Sequence, residues 1–195
     1  MGVCLVAYAV ADHHIDQLLA DPPLVWRLLE PDDEAVYLRE IGFDAQPSLW
    51  ARLFGKAAVA PPPVPSLSFA EQEMRMLDLD KSWDGINTCL KALEPGAPNF
   101  FEDGAPIGAI EVGYGPALCL RSDAMARIAE AYAGVDAAAL IEVSQRVNMD
   151  DAYLSALWRR QDAESQAYLS ENFAELQDFF QHTARHGLGA VVQAT

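Results

Sequence analysis

Between Leu77 and Leu93 the chain reads LDLDKSWDGINTCLKAL, and the apolar residues Trp83, Ile86, Leu90 and Leu93 recur at spacings of three, four and three. That rhythm puts them on one face of a helix, with Lys81, Asp84, Asn87 and Lys91 falling mostly elsewhere. Asp78 and Asp80 are both good N-cap residues, because a short carboxylate accepts hydrogen bonds from the orphan N–H groups of a first turn, so a helix is predicted to start there. Pro95, Gly96, Ala97 and Pro98 end it, since proline lacks the donor and glycine favours the left-handed cap.

Other patterns are placed around this stretch. Gly2 to Ala11 is a short apolar run rich in Val, Leu, Tyr and Cys, as expected of a strand buried on both faces. Asp12 is read as the cap of a short helix through Ala20 with Ile15, Leu18 and Leu19 on its apolar face; Pro22 and Pro23 open another turn through Glu30 with Trp26 and Leu29 inward. Val36, Leu38 and Ile41 fit strand or helix, and Leu49, Trp50, Leu53 and Phe54 have helical spacing. Residues 57 to 68, AAVAPPPVPSLS, read as an extended surface connection, and Ser68 with Glu71 as a capping box opening a helix from Phe69 to Leu77.

After the loop at 95 to 106, Pro106 to Glu111 reads as short extended structure, and Gly113 and Gly115 are expected at positive φ before a strand from Ala117 to Leu120. Ser122 is read as capping a helix with Met125, Ile128 and Tyr132 inward, and an alanine-rich helix from Asp136 to Val147 follows. Asp150 or Asp151 is read as the cap of a short helix carrying Leu154, Leu157 and Trp158. The longest helix is predicted from Ala163 to His186, its stripe Leu169, Phe173, Leu176 and Phe180 closed by Gly187, and Leu188 to Ala194 then reads as a strand beside the first. The whole is an α+β chain: a single domain over residues 1–195, with a small mixed sheet containing the N- and C-terminal strands, packed by several helices.

Composition narrows the partners. Thirteen basic against 29 acidic residues give a formal charge of −16, a field that repels phosphate backbones and anionic lipid, so no nucleic acid and no membrane surface is expected as partner. A basic protein is the partner such a field attracts. The three cysteines, Cys4, Cys89 and Cys119, lack a CxxC pair, which fits a reducing, cytoplasmic setting, and the first apolar run is too short for a signal peptide or a bilayer span.

The acidic positions are the candidate site. Asp78, Asp80 and Asp84 with Lys81 have the residue types to bind a cation or share a proton, while capping and an i, i+4 pairing explain the same positions structurally. Trp83 reads as core or as a ligand platform, and Glu111 with Tyr114, beside the glycine turn, completes the candidate binding residues. His182 and His186 share a helix face, and His13–His14 would supply a third ligand, but no glutamate follows His182 as a zinc-protease motif demands, so neither a metal nor any other cofactor is expected. No nucleophilic triad can be named.

The run Leu77, Asp78, Leu79, Asp80, Lys81, Ser82, Trp83, Asp84 resembles the motif of the YfbM-like family, small bacterial proteins carrying a domain of unknown function, and Tyr114, Gly115, Pro116, Ala117 resembles a second feature of it. The chain departs at Asn87, where the family often has histidine, and in the proline-rich run. The resemblance implies an α+β fold and carries no established activity. From charge and the missing catalytic motif, the expected function is a non-catalytic acidic protein-binding module of regulator or toxin-neutralising type. The competing expectation is a small-molecule hydrolase using the Asp78/Asp80/Asp84 cluster, with or without a divalent metal.

Overall fold

The computed structural model describes residues 2–43 and 60–195, so the Leu49 to Phe54 pattern and the start of the proline-rich run lie outside it. The apolar runs at the two ends become neighbouring antiparallel strands: β1, Leu5–Val10, runs beside β5, Gly189–Ala194, with Leu5 opposite Ala194 and Val10 opposite Gly189. Three short strands, β2 (Met76–Asp78), β3 (Ala105–Pro106) and β4 (Leu118–Leu120), extend the sheet in the order β2-β1-β5-β4-β3. The sheet is antiparallel at every pairing rather than mixed. Apolar residues on both faces of β1 and β5 reflect helices on both sides, a burial pattern more usual in parallel sheets.

Side chains alternate across a strand, and each face has its own core. On one face Val10, Cys119 and Val191 meet Ile15 and Leu18 of α1 (Asp12–Ala20) and Leu28 of α2 (Val25–Leu29), with a 3₁₀ turn at Pro22–Leu24 and α3 (Glu34–Glu40) completing the layer. On the other, Leu5, Ala7, Ala190 and Val192 lie in one cluster with residues of α4 (Trp83–Leu93), α5 (Ser122–Tyr132), α6 (Ala137–Ser144), α7 (Ser155–Trp158) and α8 (Ala163–His186). Burying each such Val, Leu, Ile or Phe side chain stabilises by about 1.5–3 kcal/mol, so these two faces dominate stability. In α8, Asp162 accepts from the Ser165 N–H at 2.9 Å, Gly187 at φ +62° closes the C-terminal end, and Leu169, Phe173, Leu176 and Phe180 are buried as their spacing predicts.

Several local expectations are corrected. No helix spans 69 to 77: a turn leads into β2. Leu77 and Leu79 are buried at 3% and 0% exposure while Met76 and Asp78 are exposed, and that alternation docks on the edge of β1 in preference to a helical turn. Asp78 and Asp80 consequently do not cap a helix; α4 begins at Trp83 with Ser82 before it. Asp12 and Ser122 do not cap their own helices either; they face each other across the fold, the Asp12 carboxylate accepting from both the N–H (2.9 Å) and the hydroxyl (2.7 Å) of Ser122, the first residue of α5. Leu24, Val25 and Leu28 take the inward places expected of Trp26 and Leu29, which are half-buried. The short α7 follows Leu154, at φ +61°, without a cap from Asp150 or Asp151.

Candidate functional site

Leaving β2, the chain turns sharply before α4. The Asp78 carboxylate accepts the Asp80 N–H at 2.8 Å, the Ser82 hydroxyl donates to the Leu79 carbonyl at 2.7 Å, and Asp80 is held at φ +45°, a left-handed conformation that aspartate tolerates better than most residues. This aims the Asp80 carboxylate back over the sheet end, where it accepts from the Tyr168 hydroxyl at 2.7 Å and from the Cys4 thiol at 3.2 Å. The same Tyr168 oxygen accepts the Lys81 N–H at 3.2 Å.

Trp83 and Asp84 fasten two further segments. The Trp83 indole N–H donates to the Val3 carbonyl at 3.1 Å, and the Val3 N–H donates to the Tyr153 hydroxyl at 3.0 Å. The Tyr153 N–H in turn donates to the Asp84 carboxylate at 2.7 Å. Gly85 lies directly beneath the Trp158 ring, so close that a Cβ there would sit 2.7 Å from the indole carbons. Trp158 is thereby pressed between α4 and Tyr168, whose ring stacks on it at 6.1 Å and 17°. Asp78 and Asp84 are thus spent on backbone turns, and Trp83 on holding Val3 and packing against the core.

Beside Asp80 opens a groove of 540 Å³, within the range of ligand sites. Its walls are Leu154, Leu157, Ala167 and Tyr168. Its polar groups are Asp80, Lys81, Glu164 and Glu171, three carboxylates against one ammonium. The Tyr168 hydroxyl, helped by the Cys4 thiol and the Lys81 charge, outweighs desolvation and holds the Asp80 carboxyl below the usual aspartate range. Burial and the bond to Asp80 push the Tyr168 phenol up, and the bond to Asp80 with burial does the same to the Cys4 thiol. At neutral pH the site therefore presents a carboxylate, a neutral phenol and a neutral thiol.

A second carboxylate precedes β2. Glu73 accepts from the N–H groups of Ala11 (2.7 Å) and Ala70 (2.8 Å) and pairs with His14 Nδ1 at 2.7 Å, with the two side chains 3% and 4% exposed. Burial pushes the Glu73 carboxyl up, but those two N–H groups and the imidazole outweigh it and hold it low. His14 is therefore committed to Glu73, and His182 bonds the Gln72 carbonyl at 2.7 Å while lying 4.7 Å ring to ring from His186. Among the described residues no three His, Cys, Asp or Glu side chains gather as metal ligands.

Of the residues singled out in the sequence, Asp80 and Lys81 reach the groove, and Asp78, Trp83 and Asp84 brace the turns beneath it. Glu111 and Tyr114 are exposed and are not among its lining residues; the Tyr114 N–H donates to the Ala194 carbonyl at 2.8 Å, extending the sheet end, and of the two neighbouring glycines only Gly115 takes positive φ. Sequence reasoning missed Tyr168, Glu164 and Glu171. The only signal for them was an i, i+3, i+4, i+7 stripe, Glu164, Ala167, Tyr168, Glu171, alongside the apolar stripe of the same helix.

The sequence matches, over residues 1–193, a family described as a domain of unknown function, DUF1877. The chain belongs to the DUF1877 family. The fold is similar to that of a solved structure, a protein of unknown function, YfbM, from Escherichia coli, at 13% identity and a TM-score of 0.50, covering 98% of this chain and 99% of that one. No curated protein matches the chain. In this DUF1877 chain, Asn87, the position where related sequences were expected to carry histidine, donates to Glu102 at 3.0 Å and accepts from Asn99 at 2.9 Å, locking the loop after α4. Among the described residues no helix is long and apolar enough to cross a membrane.

Proposed function

We propose that this DUF1877 protein is a non-catalytic binding module for a basic protein partner, acting in the cytoplasm, with the groove beside Asp80 as its contact site. The observation that carries the reading is the groove itself: apolar walls rimmed by Asp80, Glu164 and Glu171 against Lys81 alone, on a chain of net charge −16. Asp80 is held ionised by Tyr168 and Cys4, which suits it to receive a cation and unsuits it to exchange protons near neutrality, where a general base needs a raised pKa. Asp78 and Asp84 have backbone N–H partners, which weighs against a hydrolytic cluster of three carboxylates. The free thiols Cys4, Cys89 and Cys119 suit a reducing compartment, and burial pushes Cys89 up to about 12, leaving it inert.

Opposite charge speeds encounter more than it strengthens the final complex, so association should slow as salt rises and the screening length falls to roughly 8 Å in physiological buffer and below it at higher salt. The test is capture from source lysate at low salt, followed by association kinetics of the recovered partner across a salt series. A specific basic partner whose on-rate falls with salt is expected. Recovery of no specific partner, or an acidic one with salt-independent association, overturns the reading.

A further inference from the structure

The shape of the groove specifies what part of a partner it fits. One wall is a single stripe of α8: Glu164, Ala167, Tyr168 and Glu171 stand at i, i+3, i+4 and i+7, about 10 Å from end to end at 1.5 Å per residue. The rest of the lining is Leu154, Leu157, Asp80 and Lys81. The α8 stripe is acidic at both ends and apolar or aromatic in the middle. Its second apolar face, Leu169, Phe173 and Leu176, is already buried in the core, so this stripe is a separate surface of the same helix.

We propose that the groove seats a short basic amphipathic helix of the partner, laid along α8. Its apolar stripe rests on Leu154, Leu157, Ala167 and Tyr168, and two cationic side chains about two turns apart sit over Glu164 and Glu171. This rests on the reading of the protein as an acidic binding module and adds the form of the ligand. An extended strand is the wrong occupant: the α8 wall has its N–H and C=O groups committed within the helix, so a strand would find no backbone partners along it, whereas a helix satisfies its own. An anionic or wholly apolar segment is the wrong occupant too, with three carboxylates against one ammonium. Arg160 shares Glu164 through a 2.5 Å bond, while Glu171 forms no ion pair among the described residues, so Glu171 is the stronger of the two anchors.

The experiment uses the full chain and three labelled synthetic peptides of equal length: one with a leucine stripe and two lysines seven residues apart, one with the same composition scrambled to abolish the stripe, and one with glutamate replacing lysine. Fluorescence anisotropy reads affinity, and amide shift mapping reads location. Only the first peptide should bind well, by about tenfold or more over the others, with shifts centred on Leu154, Ala167, Tyr168 and Glu171. Glu171→Lys should weaken it about tenfold, and Ala167→Trp, at a solvent-facing helix position, should block it without lowering the melting temperature. Equal binding of the scrambled peptide overturns the helix proposal and leaves the acidic module standing. Shifts outside the groove, or capture of a basic partner that is indifferent to Glu171→Lys and Ala167→Trp, overturn the helix proposal and the groove as contact site, and leave only the attraction of a basic partner by net charge. Failure of every peptide together with failure to capture any basic partner removes both readings, and saturable binding of spermine at the same residues replaces the helix with a small polyamine.

Discussion

Two carboxylates bracket β2, and they are used differently. Glu73, just before the strand, accepts two backbone N–H bonds and the His14 imidazole in a site 3–4% exposed. Asp80, just after it, accepts a phenol and a thiol and lies on the edge of an open groove. Both are held below the ordinary carboxylate range, yet the Glu73 side chain is 3% exposed while Asp80 lines an open groove. A lowered pKa alone thus does not separate scaffold from site; the cavity beside the group does.

Removing Glu73 should have the largest effect. Glu73→Ala strands His14 and the N–H groups of Ala11 and Ala70 in the interior, and breaking a buried pair in this way costs about 3–5 kcal/mol, readable by urea denaturation. Trp83→Ala comes next, at about 2–3 kcal/mol: less than a fully buried indole, because Trp83 is only half-buried, but with the bond to Val3 lost as well. Asp84→Asn should cost about 1 kcal/mol, since the charge-assisted bond to the Tyr153 N–H becomes a neutral one. From the sequence alone Asp84 looks like a plain surface residue, for which no more than about 0.5 kcal/mol would be expected.

Acid titration sharpens the contrast. Both carboxyls have folded pKa values below their unfolded values of about 4, so the folded state binds fewer protons there, and their contribution is present above that range and lost as pH falls through the folded values. Melting temperature should therefore decline below about pH 4, and Asp80→Asn should flatten part of that decline by lowering stability above about pH 4 while changing it little at lower pH. An unchanged acid profile in Asp80→Asn would mean that the Tyr168 bond does not hold the carboxylate ionised.

The legible parts of the molecule were those written in long or strongly apolar local patterns. The course of α8 follows from its stripe together with Gly187, and β1 and β5 from apolar runs with no polar face. The turn around Asp80 was misread because two aspartates before a helical stripe look like caps, although the alternation of Leu77 and Leu79 with Met76 and Asp78 already had the two-residue period of a strand. The site itself was only half legible. Asp80 and Lys81 stood out, but Tyr168 lies 88 positions from Asp80 and Glu73 lies 59 from His14, and nothing local in the sequence marks such partners.

The division of labour within the motif is the central claim: Asp80 serves the groove, and Asp84, four residues on, serves the fold. The direct measurement is the affinity of the lysine-bearing helical peptide for Asp80→Asn and Asp84→Asn, each corrected for its folded fraction. The account predicts several-fold weaker binding to Asp80→Asn and unchanged binding to Asp84→Asn, about 1 kcal/mol separating the two. Loss of binding in Asp84→Asn with wild-type affinity in Asp80→Asn would contradict it.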